Sequence, residues 1–207
     1  MFTGIVRECG RLIAPPEPSG GGLTLHLGIS RELAQRLEIG ASLAVNGVCL
    51  TLVTLEADRC SVEVSPETLK KTSIGRASEG SVLNLEPALA AGDAMGGHWV
   101  QGHVDCVTEM IGQREVEGWT ELSFAVPEAF RGQIVEKGSV TLDGVSLTVS
   151  ALRDDGFDVA LVPHTLEVTN LDRLEPGDVV NFEADILAKY VERALQVSGR
   201  LGGEVSS

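Results

Sequence analysis

The chain has 207 residues, enough for one large domain or two of about 100 residues, and either size buries a core without disulfide or metal staples. Aromatic residues make up only 4% while Val, Leu, Gly and Thr are plentiful, which favours short strands and tight turns over a helical bundle. A net charge of -14 argues against nucleic acid or an anionic membrane surface as partner, and no segment approaches the ~20 apolar residues of a membrane span. The N-terminus lacks the charged and apolar regions of a leader. Four scattered cysteines (Cys9, Cys49, Cys60, Cys106) read as free thiols in a reducing cytoplasm.

The chain is written twice. Asn46-Gly47-Val48-Cys49-Leu50-Thr51-Leu52 returns as Asp143-Gly144-Val145-Ser146-Leu147-Thr148-Val149, an offset of 97. The same offset pairs Ser65-Pro66 with Val162-Pro163, Gly80 with Gly177, Asn84 with Asn181 and Glu86 with Glu183. Upstream the offset is 98, pairing Gly4 with Gly102 and Gly40 with Gly138, which places a one-residue insertion between Gly40 and Gly47.

In chain order, Leu23–Leu27 alternates as a strand with one buried face. Ser30 is an N-cap for a short helix over Arg31–Glu38 that closes at Gly40. Asn46-Gly47 then turns a hairpin, and Ser65-Pro66 opens a helical turn. The Gly-rich stretch Ala90–Gly97 reads as a hinge. The second copy repeats the pattern: a strand over Glu121–Val126, a helix from Pro127 over Glu128–Lys137 closed by Gly138, and the Asp143-Gly144 hairpin. Each copy is expected to form a six-stranded antiparallel Greek-key barrel, giving an all-β protein with a C-terminal helix. The expected units are 1–90, a hinge at 91–97, 98–185, and a helix over 186–199. On that helix Leu187, Tyr190, Val191, Ala194 and Leu195 share a face that either packs on its own barrel or forms an oligomer seam.

Several residues have chemistry to offer. Cys49 and Ser146 each place a nucleophile-type atom two residues before a threonine, on the same face of a strand. A buried strand cysteine often serves as a small hydrophobe, yet a core needs no such thiol or hydroxyl beside a threonine, whereas a polar ligand does. His98 and His103 flank Trp99, and no further ligands stand at metal-binding spacing. His103 follows Gly102 and is a candidate general acid or base. The turns at Ser65 and Val162 offer N–H groups to a ligand or simply cap themselves. There is no phosphate-binding loop, dinucleotide fingerprint or hydrolase elbow.

Taken together, MFTGIV, NGVCLTL, SPETL, GGHWVQGH, LDGVSLTV and VPHTLEVTNL resemble the riboflavin synthase α-chain family across nearly the whole chain. The resemblance implies a transferase that dismutates two molecules of 6,7-dimethyl-8-ribityllumazine. A four-carbon unit moves between them to give riboflavin and 5-amino-6-ribitylaminouracil, with no metal or organic cofactor. It also implies a homotrimer held by the C-terminal helix, with active sites between an N-terminal barrel and a neighbour's C-terminal barrel, while the free cysteines and the N-terminus above are expected of a cytoplasmic protein. Association with lumazine synthase stays open.

Carried over by position, Cys49, Ser42 and His103 match catalytic residues. The first-copy ligand positions are Gly4, Ile5, Val6, Leu50, Thr51, Ser65 and Thr68, with Phe2 nearby. Those of the second copy are Gly102, Val104, Ser146, Leu147, Thr148, Val162, Pro163 and Thr165, and Lys137 reaches a ligand across the interface. Val48 and His164 depart from residues common in the family. Two rivals are a lumazine-type antenna protein that binds without turnover and a flavin reductase-like barrel. The retained Ser42, Cys49 and His103 argue against the first, and a second barrel where a nicotinamide domain would stand argues against the other.

Overall fold

The computed structural model describes residues 1–199. The first unit contains β1 (Glu8–Leu12), β2 (Glu17–Ser19), β3 (Gly22–Gly28), α1 (Arg31–Ala34), β4 (Ser42–Val45), β5 (Val48–Leu55), β6 (Arg59–Val64), α2 (Pro66–Lys71) and β7 (Val82–Pro87). The second contains β8 (Cys106–Val116), β9 (Trp119–Ala125), β10 (Ser139–Leu142), β11 (Val145–Leu152), β12 (Gly156–Leu161), α3 (Pro163–Val168) and β13 (Val179–Ala184), followed by α4 (Ile186–Val197). Short 3-10 turns stand at Ser73–Arg76, Glu128–Gln133 and Asn170–Arg173.

Each unit is a closed antiparallel barrel with Greek-key connections. The first runs β1-β7-β4-β5-β6-β3 and back to β1, with β2 added as a flap on β3. The second runs β8-β13-β10-β11-β12-β9 and closes on β8. Alternation along β5 and β11 explains the closure. Leu50 and Leu52 point into one core and Leu147 and Val149 into the other, while Cys49, Thr51, Ser146 and Thr148 point outward. The first core is mainly leucine and valine. The second stacks Phe124 on Phe157 at 5.8 Å and sets Phe157 edge-on to Phe182 at 6.2 Å. Both hairpin turns carry the left-handed backbone their sequence demands: φ is 45° at Asn46 and 75° at Gly47, 43° at Asp143 and 81° at Gly144.

Three expectations change. The helix after Ser30 stops at Ala34 rather than Glu38, although Ser30 Oγ does cap it by accepting from Leu33 N at 3.0 Å. The segment from Glu128 is a 3-10 turn ending at Gln133, not a helix to Lys137. The partner of Gly40 is Lys137, not Gly138. Both take positive φ, 88° and 64°, and their N–H groups bond equivalent carbonyls, Leu52 O at 2.9 Å and Val149 O at 2.8 Å. The offset is already 97 where Leu25 faces Val62 and Leu122 faces Val159. It is 98 where Cys9 faces Asn84 and Val107 faces Asn181. The extra residue therefore lies between β1 and β3, where the first copy forms its β2 flap and the second a plain hairpin.

The barrels meet across an approximate two-fold axis on which equivalent residues touch. Phe2 and Val100 form a two-residue ladder, Phe2 N donating to Val100 O at 2.8 Å and Val100 N to Phe2 O at 3.2 Å. Gly47 lies against Gly144 so closely that a Cβ on either would come within 2.7 Å of the other's amide nitrogen. Reciprocal side-chain bonds flank the glycines: Asn84 Nδ2 donates to Asp143 O and Asn181 Nδ2 to Asn46 O, both at 2.8–2.9 Å. Asn84 Nδ2 also donates to Asn170 Oδ1 at 2.8 Å, so buried hydrogen bonds tie the two hairpin turns together across the seam.

Candidate functional site

The outward faces of β5 and β11 hold the chemistry. On β5, Cys49 is half-buried and Thr51 exposed, with Ser42 opposite Thr51 on β4. On β11, Ser146 is half-buried and Thr148 exposed, with Ser139 opposite Thr148 on β10. Leu50 and Leu147 turn their side chains into the cores, so only their main chain lies on the faces.

The segments that complete each face are exchanged between copies. Cys49 N donates to Gly102 O at 2.9 Å, and Ser146 N donates to Gly4 O at 2.8 Å. Val104 packs on the first core and Val6 on the second. Gly4, Ile5 and Val6 therefore stand with Ser146 in the second barrel, and Gly102 and Val104 with Cys49 in the first, the reverse of the grouping by copy. Sequence order hides this, because the exchange is a consequence of packing about the two-fold axis. It brings exposed His103 next to the residue that Cys49 contacts.

Both glycines are required where they stand. A Cβ on Gly102 would lie 2.7 Å from Cys49 Cβ, and one on Gly4 would lie 2.6 Å from Ser146 Cβ; φ is +76° and +75°. Two buried carboxylates hold these segments. Glu86 Oε1 accepts from Thr3 N at 2.7 Å and Thr3 Oγ1 at 2.8 Å, and its Oε2 accepts from Gly4 N at 2.9 Å. Glu183 accepts from Gln101 N at 2.7 Å and Gly102 N at 3.0 Å. Burial pushes both carboxyls up, the hydrogen bonds pulling back against it. The repetition of Glu86 as Glu183 was the sequence signal for this pair of clamps.

Ser65 caps α2, its Oγ accepting from Thr68 N at 3.1 Å and sharing a 2.9 Å bond with Thr68 Oγ1. Beside it a hollow of about 500 Å³ is lined by Thr51, Glu63, Ser65, Pro66 and the turn from Ser19 to Gly22. Glu63 was absent from the sequence candidates; it faces Thr51 across the β5–β6 ladder. In the second barrel Val162 replaces the capping serine, and Pro163 and Thr165 follow in α3. Lys137 is exposed near Thr148's strand, its Nζ donating to Ser150 O at 3.1 Å.

His98, which sequence spacing left without a role, is held at both ring nitrogens beside the second face. It is buried, with Nδ1 2.7 Å from Ser146 Oγ and Nε2 3.1 Å from Thr141 Oγ1. Burial lowers its basicity, and Asp185 offsets this only in part. Among the described residues no equivalent hydrogen bond reaches Cys49 Sγ, so the two faces differ in more than thiol against hydroxyl.

A family model described as "Lumazine binding domain" matches the chain twice, over residues 3–88 and 101–185. The riboflavin synthase of Mycobacterium bovis is 41% identical over 96% of this chain and 100% of its own length. That of Actinobacillus pleuropneumoniae is 39% identical over 94% and 90%, and that of Bacillus subtilis 38% over 94% and 90%. The fold is also that of LumP, solved with 6,7-dimethyl-8-(1'-D-ribityl) lumazine and with riboflavin. Those structures give TM-scores of 0.79 and 0.80, at 23% and 24% identity, over 89% of this chain and 99% of theirs. By two matched domains and by relatives near 40% identity along almost its entire length, the chain belongs to the riboflavin synthase family.

Proposed function

We propose that this chain converts two molecules of 6,7-dimethyl-8-ribityllumazine into riboflavin and 5-amino-6-ribitylaminouracil. The observation that carries the reading is the pair of equivalent outward faces, Cys49 with Thr51 and Ser146 with Thr148, in a chain of this family. A reaction between two copies of one molecule needs two similar pockets that fix their mutual orientation. The four-carbon unit lost by one lumazine is gained by the other, so the exchange balances without an external oxidant or reductant.

In this reading His103 shuttles the proton of the acidic 7-methyl group, whose anion delocalises into the ring. Cys49 and Ser42 assist nucleophilic addition at the second ring, while Thr51, Ser65, Thr148 and Thr165 supply polar contacts to ring and ribityl chain. Exposed Leu187, Tyr190 and Val191 on α4 support a homotrimer seam and sites shared between subunits. The four cysteines, unpaired in the described fold, fit a cytoplasmic enzyme. Docking with lumazine synthase would add substrate supply without altering this chemistry.

The test is incubation of the purified chain with the lumazine alone, following riboflavin formation by absorbance. Cys49→Ala and His103→Gln are expected to slow turnover while leaving the thermal midpoint near wild type. Wild-type rates in both variants would sink the assignment, and tight retention of lumazine without turnover would identify an antenna-type binding protein instead.

A further inference from the structure

We propose that His98 is a positioning residue that turns the Ser146 hydroxyl into a hydrogen-bond donor aimed at the ligand of the second barrel. The inference rests on the lumazine reading above and concerns which polarity that pocket presents. His98 is buried between two hydroxyls, Ser146 Oγ at 2.7 Å from Nδ1 and Thr141 Oγ1 at 3.1 Å from Nε2. A neutral imidazole donates through one nitrogen and accepts through the other, so the two hydroxyls must play opposite parts.

Thr141 decides which. It is 1% exposed, and among the described residues His98 Nε2 is the hydrogen-bond partner of its hydroxyl. Leaving a buried O–H donor unmade costs more than leaving one lone pair unused. Thr141 therefore donates to Nε2, the imidazole carries its proton on Nδ1, and Nδ1–H donates to Ser146 Oγ. Ser146, half-buried on the outward face of β11, keeps its own O–H free for the pocket.

The surroundings hold this arrangement. The Ser146 amide is bound to Gly4 O at 2.8 Å, and the His98 amide to Thr3 O at 3.1 Å. Gly97 lets the histidine come so near: a Cβ there would stand 2.1 Å from Thr3 O and 2.9 Å from Ser146 Oγ. Burial keeps the ring neutral by lowering its basicity, against a weaker opposing pull from Asp185. A donor preset in this way suits a ring atom on which negative charge develops, because the dipole needs no reorientation as charge appears. The first face places a thiol at the equivalent position, which is a weak donor. The pockets therefore differ in polarity, and the second is the one built to steady an anionic lumazine.

The direct test is the tautomer of His98 in the intact chain labelled with nitrogen-15 histidine, read by long-range proton–nitrogen correlation and assigned with His98→Phe. A proton on Nδ1 is expected; a proton on Nε2 overturns the proposal whatever the activity. The functional test is a double-mutant cycle on lumazine binding by titration calorimetry. His98→Phe is expected to weaken one of the two binding events about tenfold, the size of one hydrogen bond. His98→Asn, whose amide N–H stands near the place of Nδ1–H, should recover most of the loss. In a Ser146→Ala background His98→Phe should add nothing. Equal losses in both backgrounds would mean that His98 only supports the fold and would overturn the proposal. Failure of the wild-type chain to bind lumazine would instead strike the proposed function, leaving the tautomer result to stand separately.

Discussion

Asp143 offers the sharpest quantitative test of the seam between the barrels. It is buried beside the two-fold axis, Oδ1 accepting from Asn181 N at 2.8 Å and Oδ2 from Asn170 Nδ2 at 3.3 Å. Both partners are neutral, and burial pushes the carboxyl from 3.8 up to about 7. Between those values an unfolded chain releases this proton while the folded chain keeps it. Stability therefore falls as pH rises through that window and levels off above it. At about pH 8 the cost is at most roughly 4 kcal/mol.

Asp143→Asn removes the titration. Its two-fold mate already uses this amide, Asn46 Oδ1 accepting from Asn84 N at 2.7 Å. The variant keeps the bond from Asn181 and gives up the one from Asn170, a loss of about 1 kcal/mol. Denaturant unfolding at fixed protein concentration is expected to find the two proteins about equally stable near pH 4.5, where the wild type has already lost about 1 kcal/mol, and the variant roughly 1–3 kcal/mol stronger near pH 8. Glu86 and Glu183, also raised by burial, leave a residual slope of the same sign in both proteins. A stability difference that is the same at both pH values would refute the reasoning.

Further outcomes follow from the same contacts. Gly102→Ala, forced against Cys49 and Phe2 at positive φ, should cost roughly 2–4 kcal/mol by thermal unfolding, whereas Gly20→Ala, with open space around it, should cost about 1 kcal/mol. Glu86→Gln sets an amide N–H against the Thr3 or Gly4 N–H and should cost roughly 1–3 kcal/mol, read from denaturant midpoints; an unchanged midpoint would dismiss the clamp. Arg153→Met strips Asp158, which is fully buried, of its bidentate partner and should lose roughly 2–4 kcal/mol, measured at neutral pH. If the proposed trimer is held by α4, Leu187→Asp, on the exposed face of that helix, should shift sedimentation toward the monomer and lower turnover with it; an unmoved sedimentation coefficient would remove α4 from the proposed assembly.

The barrels were legible because their signals are local. Strand alternation, the Asn46-Gly47 and Asp143-Gly144 turns and the Ser30 and Ser65 caps each declare themselves within a few residues. Lys137 was not legible: a non-glycine at φ 64° stands beside Gly138, which drew the alignment one residue away and displaced the insertion from the β1–β3 segment. The residue types of the candidate faces were readable, since Cys49 and Ser146 stand out beside their threonines. Their neighbours were not. The exchange of Gly4–Val6 and Gly102–Val104 depends on packing between residues far apart in the chain, Gly4 against Ser146 and Gly102 against Cys49, to which no local pattern responds. The reach of His98 to Ser146 was hidden for the same reason, and its trace was Gly97, where composition speaks for flexibility but the contact is close approach.

The exchanged segments have a consequence for how such a chain arose. Neither half completes its own outward face, because each takes a segment from the other, and the contacts on the axis join like to like: Phe2 with Val100, Gly47 with Gly144. That is the contact pattern of an isologous pair of identical single-barrel subunits. Fusing such a pair end to end preserves the mutual lending while freeing each half to vary independently. Cys49 and Ser146, and Asn46 and Asp143, are positions at which the two halves differ across the axis.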